Sequence, residues 1–151
     1  MVQPVAQRRR LAVLHQALRR AAAEGWQRFD DPALPKVTPG HWHRPEGDGF
    51  AYGFETGEGQ ANGHGMIHGG ILATYMDHTI GRVAREAAGG RVATIQLDLH
   101  YLAAGRPGQF VEARAVVVRR TRSVIFLRGE LTAEGKAILS ASGIWKILGQ
   151  P

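Results

Sequence analysis

An α+β domain, with one long helix lying against one antiparallel sheet, is the fold class this sequence predicts, and three observations predict it. Ile71, Leu72, Tyr75, Met76, Thr79, Ile80 and Val83 recur at helical spacing and mark one broad buried face. Segments on both sides of that helix alternate apolar and polar residues and are bounded by turn signals. A chain of 151 residues has room for one compact core, and sheet plus helix is its natural packing.

Leu11, Leu14 and Leu18, continued by Ala21 and Ala22 with arginines opposite, predict an extra N-terminal helix over about 5–24 on the domain's outside. From Phe29 to Gly49 the chain is rich in Pro, Gly, Asp and His without a sustained period, and reads as an irregular connection anchored by Trp42. The expected division is therefore 1–48, helix and connection, and 49–151, the functional domain. Phe50, Tyr52 and Phe54 predict a strand with one buried face. Six glycines between Gly57 and Gly70 exclude regular structure and predict a constrained loop before the central helix, which ends near Gly89-Gly90. Val92 to Tyr101, Phe110 to Val118, Ser123 to Thr132 and Ala137 to Leu148 follow as a meander of four strands.

Composition narrows the chemistry. Without cysteine there are no disulfides, zinc-thiolate sites or cysteine nucleophiles. No apolar run reaches the about 18 residues that would span a bilayer, so no membrane role is expected. Met1 to Ala23 has no acid and several arginines, like a mitochondrial presequence, but it lacks serine; His15 and Gln16 break the apolar run a secretory signal needs. A cytoplasmic protein is the expectation. The formal charge of +6 fits a phosphorylated small molecule or a solvated surface, and the scattered basic residues with few aromatics beside them argue against nucleic acid.

Gly70, Ala73, Thr74, Asp77, Gly81 and Ala84 fall along a second side of the central helix, and Asp77 is the one ionisable group among them. Taken alone it reads first as a solvent-facing aspartate, or as one pairing with Arg82 or Arg85. The preceding run Asn62-Gly63-His64-Gly65-Met66-Ile67-His68-Gly69-Gly70 changes the weighting, because it delivers polar side chains to a helix N-terminus, where unpaired amides favour negative charge. An amide of Gly69 or Gly70, with no side chain in the way, can serve as an oxyanion donor. The glycines match neither nucleotide-loop pattern. His64 and His68 are four apart but lie in glycine-rich sequence with no glutamate after His64, so no metal site is expected, and His41 and His43 read as loop residues. No Gly-x-Ser-x-Gly elbow is present, which leaves a carboxylate as the candidate base or nucleophile.

Asn-x-x-Gly-x-x-His-Gly-Gly from Asn62, followed by Asp77 on the helix and the strand 92–101, resembles the hotdog-fold thioesterases of the phenylacetate-degradation type, over about 50–148. The resemblance implies a long helix wrapped by a curved antiparallel sheet, and hydrolysis of an acyl-CoA thioester without a cofactor. It implies Asp77 as general base or nucleophile, Gly69 as oxyanion donor with Gly70 beside it, His68 holding loop and thioester, and Asn62 orienting water or acyl group. Thr94 matches a hydroxyl position near the attacking water, although an ordinary β-branched strand residue is the other reading. A homodimer with shared active sites is implied, Asn62, His68 and Gly69 of one subunit facing Asp77 and Thr94 of the other, with further pairing into a homotetramer left open. Arg106, Arg119, Arg120 and Arg122 lie at strand ends and turns, where some could bind the phosphates of coenzyme A, a solvated surface being the other reading for each. The alternatives are a hotdog acyl-thioester hydratase or dehydratase, and a non-catalytic acyl-CoA-binding sensor. Tyr52, Phe54, Tyr75 and Met76 are candidates either for an acyl pocket or for the core.

Overall fold

The structure, a computed structural model, describes residues 5–32, 34, 38 and 40–149, without the side chains of residues 6 and 7. Its elements run α1 (Val5–Ala23), β1 (Gln27–Phe29), β2 (His41–Glu46), β3 (Gly49–Glu55), a single 3-10 turn (Glu58–Gln60), α2 (Gly69–Ala88), β4 (Val92–Tyr101), β5 (Phe110–Arg120), β6 (Val124–Ala133) and β7 (Lys136–Ile147). All strand pairings are antiparallel, in the order β1-β2-β3-β5-β6-β7-β4. The sheet curves around α2 without closing, which leaves β1 and β4 as its edges. This is the α+β hotdog arrangement, with α1 as the additional N-terminal helix.

Helix α2 packs against every strand from β3 to β7, and its apolar stripe explains why. Leu72, Tyr75, Met76, Thr79, Ile80 and Ala84 are buried, and Tyr75 stacks on Phe54 with ring centroids 3.9 Å apart. Trp145, Ile125, Leu127, Leu131, Leu139 and Val111 close the same core from the sheet. Each large apolar side chain buried this way contributes about 1.5–3 kcal/mol. The helix stops at Gly89, whose left-handed φ of 69° lets its amide reach back to the carbonyls of Arg85 and Glu86. Tyr52, Phe54, Tyr75 and Met76 all belong to this core.

The connection read as irregular differs from expectation. It contains β2 and, at its first residue, the end of β1, which together extend the sheet beyond β3, while residues 33, 35–37 and 39 of it lie outside the described set. β1 is only three residues long and Pro45 sits inside β2, which ends at Glu46 before Gly47-Asp48 turn the chain back into β3. His41 and His43 are therefore strand residues, His41 buried against Phe54 and Tyr75. A smaller cluster of Ala21, Trp26, Ala51 and Phe110 fastens α1 to the sheet, with Trp42 packed on it as the anticipated anchor. The buried face of α1 is Leu14, Ala17, Leu18 and Ala21, whereas Leu11 and Ala22 are exposed.

Candidate active site

The loop before α2 is built by its own side chains. Asn62 Oδ1 accepts from the backbone amides of His64 (2.9 Å) and Met66 (3.2 Å), and the Asn62 amide donates to the Met66 carbonyl at 2.7 Å. The His68 amide donates to the Gln60 carbonyl at 2.9 Å, and the His68 carbonyl accepts from Ile71 and Leu72 as the helix begins. Buried Gln60 is locked as well: its Oε1 accepts from Gly57, and its Nε2 donates to the Tyr75 hydroxyl, which donates to the Glu55 carbonyl. Burial raises the Tyr75 phenol to about 12, so it stays protonated in this chain.

Among the described residues no acceptor meets the amides of Gly69 and Gly70, which open the helix at the positive end of its dipole. The Gly69 carbonyl does have a partner, the Tyr101 hydroxyl, which donates to it at 2.8 Å. A β-carbon on Gly69 would stand 3.1–3.2 Å from the Tyr101 ring and hydroxyl, so glycine is what lets the phenol close on the backbone. His68 is exposed and makes no capping hydrogen bond.

Two turns further along α2, half-buried Asp77 receives a hydrogen bond on Oδ1 from the Thr94 hydroxyl at 3.0 Å. Strict alternation along β4 would forbid this contact. Leu97, Leu99 and Tyr101 face the helix, and counting back by twos selects Ile95 and Ala93. The register slips between Thr94, paired with Trp145, and Gln96, paired with Ile144. Ile95 is the extra residue, 56% exposed, and the bulge turns Thr94 onto the helix side. One strand face thus reaches Asp77 near its start and Gly69 at its end.

Asp77 and Thr94 share an open cleft of about 780 Å³ with Asp31, His78, Arg82, Arg85, Glu86 and Trp145. Arg82 is not the partner of Asp77. Its Nη2 meets Asp31 Oδ2, its Nε donates to His78 Nε2 at 3.0 Å, and its guanidinium lies over the rings of Phe29 and Tyr52. The Asp31 side chain is only 6% exposed and also lies 3.1 Å from His78 Nε2. Desolvation, then the Arg82 charge, lowers the His78 pKa, against the opposing pull of Asp31. Burial also lowers His41.

The remaining expectations sort plainly. Asn62 and Gly69 line a separate hollow of about 480 Å³ with Met66, Ile67, Tyr101 and Leu102, so one chain divides the anticipated residues between two places. Ala84 is fully buried and leaves the small-residue side, while Gly70, Ala73, Thr74 and Gly81 remain accessible. Arg119, Arg120 and Arg122 are exposed where β5 ends, and Arg120 Nη2 lies 3.5 Å from the Ala88 carbonyl. No group of three metal-ligating side chains occurs among the described residues, and no helix there is long and apolar enough to cross a membrane. Tyr101 and Asp31 were missed by sequence reasoning. Tyr101 looked like the last apolar residue of an alternating strand, and Asp31 looked like part of a polar turn.

No curated protein matches the chain in sequence. Solved structures similar to it include the BH2602 protein from Bacillus halodurans with CoA (19% identity, TM-score 0.69, 99% of this chain and 98% of that one). A hypothetical thioesterase from Streptococcus pneumoniae with coenzyme A is 22% identical, with TM-score 0.64, over 84% of this chain and 91% of that one. A mutant of the phenylacetic acid degradation protein PaaI from Thermus thermophilus is 22% identical, with TM-score 0.63, over 86% and 99%. These likenesses establish the fold. The thioesterase superfamily model matches residues 64–139, half of the sequence and the part that carries the helix, its opening loop and the Thr94 strand, and the chain belongs to that superfamily.

Proposed function

We propose that the protein hydrolyses an acyl-CoA thioester at a site completed by a second copy of itself. The observation that carries this reading is the Asp77 carboxylate, oriented by Thr94 at the wall of an open cleft, on the same helix whose first turn presents two unpaired glycine amides. Asp77 takes a proton from water; the resulting hydroxide adds to the thioester carbon; the oxygen that becomes negative is received by the amides; and coenzyme A thiolate leaves as the carbonyl re-forms.

The helix geometry supports sharing. Gly69 and Asp77 are eight residues apart on α2, about 12 Å at 1.5 Å per residue. Reacting atoms need to approach within about 3–3.5 Å, so one carbonyl cannot use both from a single helix. A twofold pairing along the exposed β4 edge lets the loop of one copy face the aspartate of the other, and Ile95, Tyr101 and Leu102 are exposed apolar residues at that edge.

Arg85 in the cleft and Arg119, Arg120 and Arg122 beyond its Gly89-Gly90 end form the basic surface for the phosphates of coenzyme A. The solved relatives described with coenzyme A favour the same ligand. Residues 49–151 are the catalytic unit in this reading, and 1–48 are an extension packed on it. Such an enzyme works in the cytoplasm, where acyl-CoA is made and used.

The test is thiol release from aryl-, short- and medium-chain acyl-CoAs by the native protein and Asp77→Asn. Hydrolysis by the native protein that is lost in the folded variant is the expected result. Tight acyl-CoA binding without hydrolysis by either would make the protein a sensor, and water addition to an enoyl-CoA without thiol release would make it a hydratase.

A further inference from the structure

We propose that Tyr101 is a positioning residue for the oxyanion hole, acting through the peptide that joins Gly69 to Gly70; the inference rests on the thioesterase reading above. Its hydroxyl donates at 2.8 Å to the Gly69 carbonyl, and that carbonyl and the Gly70 amide belong to one planar unit. A phenol that fixes the oxygen of this plane fixes the direction of the N–H on its other side. Donation to the carbonyl also polarises the peptide and strengthens its N–H as a donor, by an increment of about 10–30% in such chains.

The neighbouring peptide is held differently. The His68 carbonyl accepts from Ile71 and Leu72 and the His68 amide donates to Gln60, all through backbone. Of the two candidate donors, Gly70 is thus the one whose orientation depends on a side chain from another element. The bulge at Ile95 makes this arrangement possible, because the same strand face orients Asp77 through Thr94. Tyr101 also keeps position 69 bare, since any β-carbon there would meet its ring. The Asn62 side chain closes the loop from the far side and touches neither glycine.

The discriminating variant is Tyr101→Phe, which removes one oxygen and keeps the ring. Expected is a fall in kcat of about tenfold, smaller than the roughly 10²–10³ that follows loss of an oxyanion donor itself, with KM within about twofold of native. Rates are read well below the melting temperature of both proteins, so lost stability cannot imitate the effect. Native kcat in the variant, or a change confined to KM, overturns the inference while leaving the thioesterase reading intact. A second measurement does not need activity. The amide nitrogen resonance of Gly70 responds to hydrogen bonding at the Gly69 carbonyl, so it shifts in Tyr101→Phe while that of Gly65 stays in place. An unmoved Gly70 resonance overturns the inference even if no acyl-CoA is hydrolysed, and absence of hydrolysis by the native protein counts against the thioesterase reading alone.

Discussion

Thr94 Oγ1 donates a 3.0 Å hydrogen bond to Asp77 Oδ1, across the gap between the sheet's edge strand and the central helix. The bond engages one carboxylate oxygen, and in the proposed reaction the other is the one that meets water. Thr94→Val keeps the shape and removes the donor, so kcat is expected to fall about tenfold or more, toward the roughly 10²–10⁴ that positioned proton transfer contributes. Thr94→Ser restores most of it. An active valine variant would show that Asp77 needs no such support.

The role of Asp77 itself separates by isotope. In a single turnover in ¹⁸O-water with enzyme in excess, a general base gives labelled acid product at once. A nucleophilic carboxylate, whose mixed anhydride is opened by water at the aspartyl carbon, gives unlabelled product first and labelled enzyme. Mass spectrometry of product and protein is expected to find the label in the acid.

Sharing of the site predicts complementation. Asp77→Asn and Asn62→Ala are each expected to be inactive alone. After mixing under conditions that exchange subunits, half the dimers are mixed and each has one unimpaired site, so activity returns to about a quarter of native. No recovery, with exchange verified by mass spectrometry, would place both residues in one subunit's site.

Two histidines make stability fall in acid. His41 and His78 are lowered mainly by burial, so the unfolded chain binds more protons than the folded one below the ordinary histidine value of about 6.5. Stability is therefore full above that value and is lost as pH falls through it toward the lower folded values. Thermal melts should show the midpoint dropping from about pH 7.5 to about pH 5.0. Among the described residues the buried Nδ1 of His41 has no hydrogen-bond partner, and His41→Phe should flatten the dependence. An unchanged slope would assign the acid sensitivity elsewhere.

Arg82→Met removes the guanidinium that Asp31 meets inside the cleft wall. With the Asp31 side chain 6% exposed, the expected loss is about 2–3 kcal/mol in urea unfolding, below the full cost of stranding a deeply buried charge because Arg82 itself is partly solvated. A loss under about 0.5 kcal/mol would mean that the pair contributes no more than an exposed one.

The central helix, β3 and the last four strands were legible as elements because their apolar periodicity is strong, and β4 matches its expected span of Val92 to Tyr101 residue for residue. The expected four-strand meander is corrected: only β5, β6 and β7 follow one another in the sheet, and β4 pairs with β7 at its edge. Strands β1 and β2 were not legible, since three residues carry no period and Pro45 sits inside the other. The bulge was invisible for another reason. An apolar residue at 95 fits an unbroken alternation, and only the pairing with β7 reveals that Ile95 is the extra one. Asp31 was out of reach because its partners lie 47 and 51 positions away on α2, a separation with no local trace.

The two margins of the sheet are unequal, ten residues in β4 against three in β1. A chain of copies joined head to tail would have to seat the long margin on the short one, and most of its backbone groups would go unmatched. Joining β4 to β4 would set two margins of equal length together, interrupted only at the Ile95 bulge, and would use up the long margin of both copies at once. In the proposed dimer, growth in that direction would stop at two, so the same strand that offers an adhesive surface would also terminate the polymer it could otherwise begin.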